Sequence, residues 1–80
     1  MASYYVNATE AAGLTVDVTS VVQQCDALMD RVAAVYAGHY HRESIAAYLR
    51  GARELASMAR FALEFDRDAA TRRDAEVASA

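Results

Sequence analysis

Between Val18 and Val35 the apolar residues fall at steps of 3, 4, 3, 4 and 3, on Val18, Val21, Cys25, Leu28, Val32 and Val35. That spacing returns to the same side of a 3.6-residue turn, so the segment reads as a helix with one apolar face. Val22, Met29 and Tyr36 widen the stripe at seven-residue intervals. A second stripe follows Gly38, with Ile45, Leu49, Ala52, Ala56, Ala59 and Leu63 at steps of 4, 3, 4, 3 and 4. No proline interrupts either segment and the chain holds only three glycines, which leaves long helices as the fold these features allow.

Helix one is expected over 19–37 and helix two over 42–74, with Gly38 supplying a left-handed residue at the end of the first. Charge supports a turn through residues 38–43. Residues 15–37 carry Asp17, Asp26, Asp30 and Arg31, whereas residues 42–65 carry four Arg and three Glu, so an acidic helix faces a basic one. Folding back near residue 40 sets Asp30 beside Arg50 and Asp26 beside Arg53. The expected domain, residues 18–75, is an all-α antiparallel two-helix hairpin. Residues 1–17 read as an irregular N-terminal arm. There Asn7 and Glu10 can box the start of a single turn ending at Gly13, while Leu14, Val16 and Val18 alternate like a short strand. Residues 76–80 read as a frayed tail.

A hairpin of this composition is short of core. Of its 80 residues 55% are apolar, but 19 are Ala, and a domain this small buries only about 60% of its unfolded surface. One Cys and no cluster of Cys and His at zinc-ligand spacing leave no covalent or metal staple, so association with a partner is the expected remedy. Helix two points the same way. Tyr48, Leu55, Met58, Phe61 and Phe65 extend its apolar arc to about 200°, roughly twice what one neighbouring helix covers. These five residues are the expected interface, either with a second copy in a four-helix bundle or with a different helical protein.

The chemistry-bearing residues form few constellations. Eight Arg and no Lys against 11 acids give a net charge of −3, which disfavours nucleic acid as a partner. Arg50, Arg53 and Arg60 are the candidates to face an anion, yet Glu54 and Glu64 follow Arg50 and Arg60 at i+4, the pattern of a salt-bridged solvated face. His39, His41 and Glu43 are the one compact set of metal-ligand types, without a fourth ligand. Cys25 sits mid-stripe, where a small thiol packs rather than reacts. No metal, cofactor or catalytic residue is therefore expected. The N-terminus lacks a charged start and an apolar run, and no stretch is long enough to span a membrane, so the expected address is cytoplasmic. The Arg-for-Lys and Ala-rich usage suits a GC-rich bacterial or phage genome.

Two helices joined by Tyr36-Ala37-Gly38 resemble the Trp-x-Gly turn of the WXG100 proteins, with Tyr in place of Trp; that likeness implies a type VII secretion substrate. The short–long helix pair is also similar to small all-helical chorismate mutases, which implies an intertwined dimer with an Arg-lined site. No residue role transfers from either family. Three function classes follow. The leading expectation is a non-enzymatic interaction module, an adaptor or inhibitor. Behind it stand a small helical enzyme or anionic-ligand binder, using Arg50, Arg53, His39, Tyr40 and His41 between subunits, and an exported hairpin.

Overall fold

The computed structural model describes residues 6–79. Two helices, α1 (Ala8–Val35) and α2 (Arg42–Ser79), pack against each other along their length, and the described residues contain no strand. The Cα trace extends 63 × 20 × 16 Å, a rod set by the 38 residues of α2. Its turn follows the expected chemistry. Tyr36 closes α1 by donating its N–H to Val32 O at 2.9 Å, and Gly38 takes φ 76°, the left-handed region in which a Cβ is penalised. His39 N–H then reaches back to Tyr36 O at 2.9 Å, and Arg42 N–H to His39 O at 3.1 Å.

The irregular arm expected over residues 1–17 is helical from Ala8 onward; its residues 1–5 lie outside those described. Asn7 is the cap, its Oδ1 accepting from Thr9 N–H at 2.8 Å and Glu10 N–H at 3.3 Å, and the helix runs through Gly13 without a break. A lone interior Gly costs only about 1 kcal/mol, too little to stop a 28-residue helix that has a partner. The partner is the tail of α2, which is also longer than expected and ends at Ser79 rather than near 74. Ala11 and Ala70 are the two most deeply buried of the described residues, and Arg73 Nη2 donates to Val6 O at 3.3 Å. The two ends that read as weak in sequence support one another.

Alternation of Leu14, Val16 and Val18 was a poor guide because Leu14 and Val16 face outward. Ala11, Thr15 and Val18 face α2 instead. Buried Thr15 is satisfied within its own helix, its Oγ1 donating to Ala11 O at 2.8 Å, and Thr19 Oγ1 repeats the bond to Thr15 O at 2.7 Å.

Candidate functional site

Burial defines the seam between the helices. On α1 it follows Ala11, Thr15, Val18, Val22, Cys25, Met29, Val32 and Tyr36; on α2 it follows Leu49, Arg53, Ala56, Arg60, Leu63, Arg67 and Ala70. Both lines step by three and four, the heptad spacing of antiparallel helices packed at a shallow angle. Three of the seven α2 positions are arginines, half-buried rather than pointing to water. Their long aliphatic stems cover apolar surface while the guanidinium groups reach out. The remaining core is slight. Among the described residues only Ala11, Val22, Cys25 and Ala70 are buried apolar side chains, with Thr15 beside them.

The strongest sequence stripe and the seam do not coincide. On α1 the stripe shares Val18, Cys25 and Val32 with the seam, but its other half, Val21, Leu28 and Val35, is exposed and continues the line of exposed Leu14. On α2 it shares Leu49, Ala56 and Leu63, while Ala52 and Ala59 are exposed. At 100° per residue, the α1 stripe is rotated about 60° and the α2 stripe about 30° from the seam, both toward one broad side of the hairpin. That side carries the Leu14–Val21–Leu28–Val35 ridge on α1, the small Ala52 and Ala59 on α2, and Tyr48 and Leu55 at its edge. The opposite broad side is polar, with Asp26, Arg50 and Glu64.

All five expected interface residues are solvent-facing. Tyr48, Leu55, Met58, Phe61 and Phe65 are 65–78% exposed. Tyr48 and Leu55 border the apolar broad side, whereas Met58, Phe61 and Phe65 continue onto the part of α2 turned away from α1. The ridge on α1 is what the sequence reading missed as surface. A seven-residue line beside a seam was the available signal, but it was absorbed into the core stripe.

The anion-facing candidates do not converge. Arg53 crosses the hairpin, its Nε donating to Asp26 Oδ1 at 2.6 Å, as the fold-back near residue 40 requires. This bond holds the Arg53 proton more tightly than in a free guanidinium, so the group stays cationic at any working pH. Arg60 lies in the seam and Arg50 is exposed; among the described residues Asp30 and Arg50 form no ion pair. At the turn His39 stacks on Tyr40 at 4.7 Å and meets Tyr36 edge-on at 5.3 Å, while His41 N–H donates to His39 Nδ1 at 3.1 Å. Arg53 stands eleven helical residues beyond Arg42, about 17 Å along the axis, so the turn and the arginines form no single pocket within one chain.

Cys25 is buried in the seam as a reduced thiol. Among the described residues no group of three or more potential metal ligands occurs, and no helix is long and apolar enough to cross a membrane. A shallow hollow of about 170 Å³ lies at the turn end of α1, lined by Leu28, Arg31, Val32, Val35 and Tyr36. It is smaller than the roughly 300–1,000 Å³ of small-molecule sites. Compared with known proteins, the chain matches no family model, no curated protein and no solved structure.

Proposed function

We propose that this chain is a non-enzymatic helical interaction module, an adaptor or inhibitor of bacterial or phage type that works by presenting apolar helix surface to a second copy or to another helical protein. One observation carries the reading: the large apolar side chains lie on the outside. Tyr48, Leu55, Met58, Phe61 and Phe65 on α2 and Leu14, Val21, Leu28 and Val35 on α1 are all exposed, whereas the buried side chains among the described residues are Ala11, Thr15, Val22, Cys25 and Ala70. Isolated exposed apolar residues are ordinary on monomers, but a contiguous patch along two helices marks an association surface. The exposed area agrees. The chain exposes 6156 Å², against about 4,700 Å² for a compact monomer of 8.7 kDa.

Sedimentation equilibrium combined with binding of a hydrophobic dye such as anilinonaphthalene sulfonate tests this. A module of this kind either assembles at tens of micromolar, with little dye bound, or stays monomeric and binds dye strongly. A monomer that binds no dye has no apolar surface to offer, and the reading fails.

A further inference from the structure

The apolar broad side of the hairpin is symmetric along its length in a way that fits one occupant. The α1 ridge, Leu14, Val21, Leu28 and Val35, has its midpoint beside Gln24. Outside the ridge runs a polar line, also seven residues apart: Asp17, Gln24 and Arg31, with an acid and a base equidistant from Gln24. Neither Asp17 nor Arg31 forms an ion pair within the described residues. On α2 the order is Tyr48, Ala52, Leu55, Ala59 and Ala62, in which Leu55 is flanked by small residues and Tyr48 stands opposite Ala62 about that centre. The Asp26–Arg53 bond marks the register of the hairpin, and moving two residues along each helix brings Gln24 level with Leu55. The centres on the two helices therefore fall at one height.

Building on the interaction reading above, we infer that this side docks a second copy of the chain, face to face and end to end, about a two-fold axis passing between Gln24 and Leu55. Each α1 then lies antiparallel on its counterpart, and so does each α2. Asp17 meets Arg31 of the partner subunit twice, once at each end of the ridge. Leu14 enters the hollow formed by Leu28, Arg31, Val32 and Val35 of the partner subunit, a space suited to one aliphatic side chain. Ala52 and Ala59 let the α2 backbones approach, and Leu55 lies on the axis. Such an interface is isologous, the same patch used by both chains.

Area and direction agree with this arrangement. The surface in excess of a compact monomer, about 1,400 Å², exceeds the roughly 800 Å² that each partner gives to a stable interface. In a square four-helix bundle each helix has two neighbours at right angles, so its apolar stripe points about 45° away from either seam. Here the α1 stripe is turned about 60° and the α2 stripe about 30° from the hairpin seam, toward the same side. Met58, Phe61 and Phe65 stay outside the contact, open to another helical protein.

Charge reversal in the full chain, read by sedimentation equilibrium with circular dichroism as the control for folding, is the test. Asp17→Arg and Arg31→Asp should each weaken the dimer by about tenfold, since every reversal turns two attractions into repulsions. The double variant should return to within about twofold of the parent. Within one chain these residues are fourteen apart on α1, about 21 Å, so only the partner's residue can restore the pairing. Ala59→Glu should weaken the dimer by about a hundredfold or more, because it places a carboxylate in the α2 contact, whereas Gln23→Glu, which adds the same charge on the exposed polar side of α1, should leave it unchanged. A double variant as weak as the product of the single effects overturns the arrangement, as does an Ala59→Glu dimer of parental affinity. A parent chain that is monomeric at tens of micromolar yet binds dye removes the second copy while leaving the interaction module standing; a monomer without dye removes both.

Discussion

The two helices of the hairpin solve opposite problems. α1 turns Val22, Cys25, Met29 and Val32 toward its neighbour, keeps Gln23, Asp30 and Arg31 in water, and exposes large apolar side chains only as the ridge beside the seam, Leu14, Val21, Leu28 and Val35, together with Val16. α2 alternates Leu49, Ala56, Leu63 and Ala70 with Arg53, Arg60 and Arg67 in the same seam and sends Leu55, Met58, Phe61 and Phe65 outward. A helix under selection only to close the hairpin would exchange those two sets. The largest apolar side chains of α2 therefore face away from α1, and the proposed interaction role rests on that difference.

The largest test of that contrast sets a carboxylate on each side. Val22→Asp places a charge at one of the few buried apolar positions of α1 and should cost more than about 3 kcal/mol, enough to abolish the cooperative melt seen by circular dichroism. Leu55→Asp puts the same charge on exposed α2 surface. It should leave helicity per chain in place while lowering the association state measured by sedimentation. Equal losses of helicity in the two variants would erase the distinction between the helices.

Smaller in effect, and opposite in sign, is Arg60→Leu. Arg60 is half-buried in the seam and makes no ion pair there among the described residues, so an aliphatic side chain should gain area without losing a partner. Near 25 cal/mol per Å², about 40 Å² of added apolar burial stabilises by about 1 kcal/mol, a rise of several degrees in the melting temperature. A fall would show that the arginine stem already fills the seam better than leucine does.

Gly51 offers a finer probe of the outward face. It lies within α2, a Cβ there meets no atom within 4 Å, and its line along the helix is that of Met58 and Phe65. Gly51→Ala should stabilise by about 0.5–1 kcal/mol through helix propensity alone. Stabilisation of the melt that is offset by weaker assembly would place another backbone against this line, and would extend the contact beyond Ala52 and Ala59.

How much of this was legible in the sequence follows from how each signal arises. The two helices, their all-α class and the turn were readable because periodicity survives any single substitution and Gly38 has a distinctive role. The helix ends were not. Ala11, Thr15 and Ala70 are small, so they add little to a hydropathy pattern, yet they are buried in the seam. Leu14 and Val16 carry the visible hydrophobicity of the same segment and face outward. Seam direction was hidden for a related reason. A stripe records apolar residues whether or not the facing helix covers them, and here half of the α1 stripe, Val21, Leu28 and Val35, is left exposed. Arginine at Arg53, Arg60 and Arg67 reads as a wet face by type, but its stem lets it occupy a seam.

The smallest effect belongs to the Asp26–Arg53 ion pair, which crosses the hairpin. Asp26 and Arg53 are both substantially exposed, and exposed pairs are weak and screened by salt. Asp26→Asn keeps the side-chain shape and an acceptor oxygen but removes the charge, so it should lower the melting temperature slightly at low salt and have no effect in 1 M NaCl, where screening acts within about 3 Å. Asp30→Asn is the matched control. It sits one turn further along α1 with no ion pair among the described residues, so it should change little at either salt concentration. A larger, salt-independent loss at Asp26 alone would mean that its hydrogen bond to Arg53 Nε, rather than charge, fixes the register, and Arg53→Gln should then retain part of the stability that Arg53→Ala loses.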